Sequence, residues 1–389
     1  MSVTLYRIGA YCSRRRGRVA GIWLVVLLVA GVVVARLDLD PQALALPSIL
    51  ALVVAVDYGL RIVSALRRDP SPGRDEAVGR AMGSAGPGVV CAAMAVFPAM
   101  LQLVMAGQGG FLVTAGLATF AVVLAAMLAA VTLMPSLLAF AAPRLSRRPA
   151  PTESRWGAFV TGHPAPVLVA GLALLAVAAL GLRESRFARP ETDFLPLYLV
   201  LMLMLTYQHL AMAFRSVLLA IISVAGYLLS VAATLGLLAI VVSRGPAGAD
   251  PHPMLPVLAI IVVFGVAMDH QIFLGAGIRS ALADGLAPEA AVRAGFARSR
   301  RVMAVSALVL TSVSLILVAG GKPLTGTLGL GLAAGVLLDV FVVRMTLMPA
   351  VLAVLGPRVW WLPRPLERTL ALDFDLEGGK LRDHPRTYA

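Results

Sequence analysis

Long apolar runs alternate along this chain with short connections, several of them arginine clusters and several glycine-rich turns. A helix needs about 20 apolar residues to cross a hydrocarbon core of about 30 Å. Ten runs meet that length, at roughly 19–36, 44–66, 84–106, 112–141, 164–182, 195–213, 215–242, 254–277, 302–320 and 326–355. Only Ala213, Phe214, Arg215 and Ser216 divide the sixth from the seventh. The first run follows "RRRGR", the flank of a signal peptide, but it is long enough to span, and "RLDLDPQ" after it offers no small-residue cleavage site. It reads as a start-transfer helix that stays in the membrane. The pattern predicts an all-α polytopic membrane protein with about ten transmembrane helices.

Composition agrees. Of 389 residues 59% are hydrophobic and 14% charged, and the mean hydropathy is +0.89. The net charge of +13 does not mark a nucleic-acid partner, because the arginines form short clusters between apolar runs without a basic face and interleaved aromatics. Such clusters are topology signals that face anionic lipid headgroups. Arg67, Arg68, Arg74 and Arg80 share one connection, and Arg144, Arg147, Arg148 and Arg155 the next. Arg279, Arg293, Arg298, Arg300 and Arg301, and then Arg358, Arg364 and Arg368, fall on the same side. The opposite side receives "LDLDPQ", "AGQGG", "RGPAGADPHP" and "GGKP", so the positive-inside rule predicts cytoplasmic N- and C-termini. Two cysteines, Cys12 and Cys91, make no disulfide framework and no metal spacing with the five histidines. No metal or other cofactor is expected. Cys12 beside the basic cluster reads as an inert thiol, and His163, His209, His252 and His384 as interfacial or loop residues.

The chain repeats itself. Asp57 aligns with Asp269 at an offset of 212 residues, which also brings Arg67 onto Arg279. A loop two residues longer then sets the offset to 214, with Ala77 and Val78 on Ala291 and Val292, and "VTLMPSLLAF" (131–140) on "MTLMPAVLAV" (345–354). Each unit runs from an Asp-bearing helix through a basic loop, a third helix and a Gly-rich outer turn to a helix ending in Thr-Leu-Met-Pro. Both units start on the same side, so they are parallel repeats about an axis along the membrane normal. The expected domains are residues 1–160 with about four helices, 161–365 with about six, and a polar cytoplasmic tail at 366–389.

"VAVDYGLRIVSALRRD", "GVAMDHQIFLGAGIRSALADG", "FRSVLLAIISV" and "GVLLDVFVVRMTLMPAVLAVLG" resemble hallmark segments of the MMPL branch of the resistance-nodulation-division transporters, over about 300 residues and in the right order. The resemblance implies a proton-driven exporter of lipids or other hydrophobic compounds in the bacterial plasma membrane, with an Asp-Tyr pair on a central helix facing its counterpart in the other half. By motif, Asp57 and Tyr58 match the first pair and Asp269 and His270 the second. Asp339 and Arg344 match charged positions of the last helix. Membrane lipids and a hydrophobic or lipid substrate are the expected partners, with an oligomer or an accessory protein in addition.

The residues support this independently of the name. An aspartate at a helix centre costs about 2.5–3.5 kcal/mol on insertion scales, so it persists where a partner or a water-filled path accepts it. In general, burial and a neighbouring carboxylate both penalise the ionised form, which lets a carboxylate pair exchange protons. Tyr58 and His270 can relay a hydrogen bond. The competing reading is that the aspartates bond Ser, Thr or backbone groups to hold helices together.

Departures from the family pattern matter as much. Arg61 stands one turn after Asp57, where the family is usually apolar and where the repeat has Phe273. At i, i+4 it can reach Asp57, hold it charged and hinder proton cycling; the alternative is that Arg61 snorkels to the cytoplasmic boundary. Asp339 and Arg344 lie five residues apart, about 140° around an ideal α-helix, so they are not expected to pair. Their first-half counterparts are Ala125 and Ala130. The connections "LDLDPQAL" and "RESRFARPETDF" are too short for the extracytoplasmic domains of the family. The first half also lacks two helices, since its first helix leads directly to the Asp helix. A transporter is thus one expectation and a non-transporting remnant that keeps the fold and binds lipid or a partner is another. No His-Glu metal motif or Gly-x-Ser-x-Gly elbow suggests an enzyme.

Overall fold

The computed structural model describes residues 1–36, 41–68, 73–106, 110–141, 154–184, 195–244, 255–319 and 323–363. The polar tail, half of the first short junction and most of the second, Arg144, Arg147, Arg148, Arg364, Arg368, His252 and His384 lie outside these residues. No β-strand occurs among the described residues, and each of the ten apolar runs falls on a helix. Eight of the described helices are long and apolar enough to cross a membrane. The described chain forms two compact units, one ending at Ala141 and the other beginning at Ser154.

The first unit holds α1 (Ser2–Arg14), α2 (Arg16–Arg36), α3 (Pro41–Leu66), α4 (Arg74–Ala106) and α5 (Gly110–Ala141). The helix α1 is too short to register as a span, yet its residues Leu5, Tyr6, Gly9, Ala10 and Cys12 recur at helical spacing and are buried. A Cβ on Gly9 would come within 2.6 Å of Met82 Cγ, so glycine is what lets α1 lie against α4. The Cys12 thiol is buried, and burial pushes its pKa up from the usual value. Ser13 Oγ donates to Asp75 Oδ1. By contrast α2 is held by few polar contacts: Arg16 Nη1 donates to the Ala139 carbonyl at 3.2 Å, and Trp23 Nε1 to Thr132 Oγ1 at 2.9 Å.

In the second unit, α6 (Arg155–Gly162) leads to α7 (Pro164–Ala179), α8 (Leu195–Phe214), α9 (Val217–Arg244), α10 (Leu255–Ala283), α11 (Pro288–Ala319) and α12 (Pro323–Leu337). A π-helical segment (Leu338–Leu347) and α13 (Met348–Leu355) complete the last span. Ser154 caps α6 by accepting from Gly157 N–H at 3.3 Å. A Cβ on Gly157 would come within 2.9 Å of the Phe296 ring. Phe296 is Met82 moved by 214 residues, and "RWGAF" (155–159) reproduces "RIGAY" (7–11). Thus α1 and α6 are a further repeated element, docked through equivalent glycines onto equivalent positions of α4 and α11.

The helices α4 and α11 begin at Arg74 and Pro288, well before the apolar runs that start at about 84 and 302. Hydropathy marks the depth of the hydrocarbon, whereas the helix continues into the polar interface. Asp75, Glu76 and Glu289 in the first turns complement the exposed N–H groups there. Arg80 pairs with Glu76 at 2.7 Å, one turn apart. The narrow divide between the sixth and seventh runs is a sharp turn. Arg215 takes a positive φ of 50°, and Ser216 caps α9 by accepting from Leu219 N–H at 3.0 Å while donating to the Val359 carbonyl at 2.5 Å.

Packing in the second unit centres on α10, which is buried on nearly every side over its apolar window. A helix that is hydrophobic all round belongs in such a place. The Tyr227 ring of α9 meets Phe264 edge-on at 5.5 Å between centroids. The helices α7 and α9 touch through backbone, because a Cβ on Gly236 would overlap the Ala178 carbonyl oxygen.

Candidate functional site

Each unit carries a buried charge network. In the first, Asp57 and Arg61 of α3 sit on one face a turn apart, and Arg61 donates from Nε to Asp57 Oδ2 at 2.5 Å. Its Nη2 reaches the same oxygen at 2.5 Å. Arg61 is 6% exposed and Asp57 1%. The guanidinium therefore does not snorkel to a polar boundary; it turns back onto the carboxylate, which is the clamp geometry. Tyr58 is fully buried beside the pair.

In the second unit α10 presents Asp269, His270 and Gln271 consecutively, all buried. Arg344, buried on the π-segment, donates from Nη1 to Gln271 Oε1 at 2.5 Å. Its Nε lies 3.3 Å from Asp339 Oδ1. Ser230 of α9 donates to the same Asp339 oxygen at 2.6 Å. Three helical stretches are thus tied together by one ion pair and two neutral side chains, so that both charges keep hydrogen-bond partners where they are buried.

The Asp339–Arg344 ion pair corrects the expectation from an ideal helix. A π-segment bonds i→i+5, so residues five apart lie nearly one turn on and face the same way. The hydroxyls mark the register directly. Thr346 Oγ1 donates to the Phe341 carbonyl five residues back at 2.6 Å. Its repeat partner Thr132 donates to the Leu128 carbonyl four residues back at 2.7 Å. Pro349 also has no N–H to offer the Met345 carbonyl, and Trp156 Nε1 donates to that oxygen at 3.2 Å. Ser230 and Gln271 were not foreseen as site residues, since a single polar residue in an apolar run shows no partner until the helices are packed. No cluster of three or more potential metal ligands occurs among the described residues.

The model of the MMPL family matches residues 19–167 and 193–375. The chain belongs to the MMPL family. The membrane protein YdfJ of Bacillus subtilis is 25% identical to it over 484 aligned positions, covering 88% of this MMPL chain and 67% of YdfJ. That alignment is longer than the 389 residues here, so YdfJ carries sequence that this chain lacks. The mycolic acid-containing lipids exporter MmpL11 of Mycolicibacterium smegmatis is 33% identical over 188 residues, 46% of this chain and 20% of the exporter. The fold resembles that of SecDF, a translocon-associated membrane protein from Thermus thermophilus, with a TM-score of 0.65 at 14% identity, over 90% of this chain and 62% of SecDF. The MMPL chain thus spans about two thirds of YdfJ and SecDF and a far smaller part of MmpL11. It is a multi-pass protein of the bacterial inner membrane.

Proposed function

We propose that this MMPL protein is a proton-coupled transporter of lipids or other hydrophobic molecules, with Asp57, Tyr58, Asp269 and His270 as its proton relay. The observation that carries the reading is the burial of acidic residues at repeat-equivalent points of α3 and α10, each within a long apolar run. Buried carboxylates in membrane helices mark ion and proton paths. Asp339 and Arg344, tied to α10 through Gln271, couple the state of that helix to the last span. Both termini lie in the cytoplasm in this reading, which follows the arginine distribution. The substrate class follows that of the Mycolicibacterium smegmatis relative MmpL11, a mycolic acid-containing lipids exporter.

The test is proton movement in proteoliposomes under an imposed pH gradient, read by an internal dye. The parent is expected to dissipate the gradient, and Asp57→Asn and Asp269→Asn to slow dissipation at least tenfold. Equal rates for all three would sink the proposal.

A second reading, a membrane remnant that no longer transports, is favoured by the 2.5 Å contact between Arg61 and Asp57. At that distance the guanidinium occupies the Asp57 oxygen that an incoming proton would need. In this case the parent leaves the gradient intact, and Arg61→Phe, which restores the apolar residue of the repeat position, opens proton movement. A silent Arg61→Phe protein in the same assay would remove the clamp as the cause.

A further inference from the structure

The first unit contains a helix seat that the second unit fills. In the second unit α9 covers the last span: Gly331 faces Leu238, Gly335 faces Thr234, and Asp339 accepts from Ser230. Val342 packs against the cluster that holds Ala233. The offset of 214 residues places Leu117, Ala121, Ala125 and Leu128 of α5 at these four positions. All four are exposed, Leu117 to 53% and Leu128 to 46%. The sequence passes from α2 to α3 within a few residues, so the first unit has no counterpart of α9. The helix α2 is open as well: none of its 18-residue apolar window is buried, and its glycines 17, 21 and 31 meet no atom within 4 Å of a Cβ position.

We propose that two copies of this chain pair through this seat, each placing its α2 against the exposed α5 face of the other. The second unit supplies the geometry. There α7, the counterpart of α2, packs against α9. A helix in the empty seat therefore touches α5 and α2 of the unit that receives it. Two copies related by a two-fold axis satisfy this reciprocally: each α2 lies against its own α5, the partner's α5 and the partner's α2, and the four helices close on themselves. A foreign helix would fill the seat and leave the outer side of α2 open.

Chemistry selects α2 as the occupant. Where α9 carries Ser230 and Thr234, its seat carries Asp339 and Gly335; where the first unit has Ala125 and Ala121, a polar helix would have nothing to bond. From Val19 to Ala35 α2 has no charged, hydroxyl or amide side chain. Its 21 residues extend about 31 Å, beyond the about 16 Å from Leu117 to Leu128. Helix association in lipid depends on close packing, which alanines at 121 and 125 and open glycines on α2 permit. The pairing does not depend on transport.

The experiment counts subunits of the full chain by single-molecule photobleaching in vesicles of phosphatidylglycerol and phosphatidylethanolamine at low protein density. Dimers are expected. Ala121→Trp with Ala125→Trp is expected to give monomers with an unchanged thermal midpoint in detergent, while Ile316→Trp, on the 69% exposed surface of α11, leaves dimers. As a second arm, Ala125→Cys is expected to crosslink to a cysteine placed on α2 of a differently tagged copy. Monomers of the parent, assemblies of odd order, dimers indifferent to the double tryptophan variant, or crosslinks to another protein alone would each overturn the pairing.

Discussion

Replacing Arg344 with leucine is expected to collapse the stability of the second unit, and replacing Asp339 with leucine in the same chain to recover most of the loss. Arg344 is fully buried and Asp339 almost so. Removing one member of a buried pair strands the other charge, a change that typically costs about 3–5 kcal/mol, whereas exchanging both for apolar residues of similar volume is close to neutral. In Arg344→Leu the Ser230 hydroxyl still donates to Asp339 at 2.6 Å, which offsets only part of the stranded charge. Gln271 loses its guanidinium partner in both variants. Thermal midpoints of the parent, the two single variants and the double variant complete the cycle, and additive losses would show that the pair contributes no coupling. The same double variant, assayed for proton movement, separates a structural pair from a relay member: restored stability without restored flux assigns the pair to the proton path.

The second large effect is expected at Gly236. Even alanine there brings its Cβ onto the Ala178 carbonyl oxygen, and the reciprocal contact joins Gly181 to the Gly236 carbonyl. Both sides are backbone, so no side chain can rotate away. Overpacking usually costs about 1–3 kcal/mol, and Gly236→Leu is expected to exceed that range because it separates α7 from α9 along a whole contact. The readout is loss of the monodisperse, cooperatively melting species in detergent. Gly331→Ala and Gly236→Ala make the matched comparison: at Gly331 the Cβ meets the flexible end of Leu238, and the loss there is expected to be a fraction of that at Gly236. Similar losses at the two positions would refute the backbone-contact account.

The apolar helices were legible because a hydrocarbon core demands a minimum run of apolar residues, and eight of the described helices are long and apolar enough to cross it. Helix ends were not, since α4 and α11 continue through Arg74–Gly83 and Pro288–Arg301 on capping and charge, which hydropathy does not measure. The docked helices α1 and α6 escaped because a span-length filter ignores 13-residue and 8-residue segments. Asp57, Asp269, Asp339 and Arg344 stood out as charges in apolar runs, and Arg61 as a break in the repeat. What their contacts are depended on three dimensions in different ways. The Asp57–Arg61 contact is local and needed only the i, i+4 rule, whereas Gln271 and Ser230 reach Arg344 and Asp339 across helices. The Asp339–Arg344 contact failed to show because the turn length itself changes.

That change bears on how the two repeats diverged. The Thr-Leu-Met-Pro segments align at 214 residues, yet α5 remains α-helical there, with Thr132 and Pro135 at the matching places. The two segments therefore run at different pitches, and among their differences the last span carries Asp339 and Arg344 where α5 has Ala125 and Ala130. Slipping one residue of register rotates everything downstream by about 100°. Neutralising the pair and letting the segment relax would turn α13 like a key, carrying Pro349 and Leu352 to a different bearing on their neighbours. In this protein an ion pair sits where a helix changes its phase.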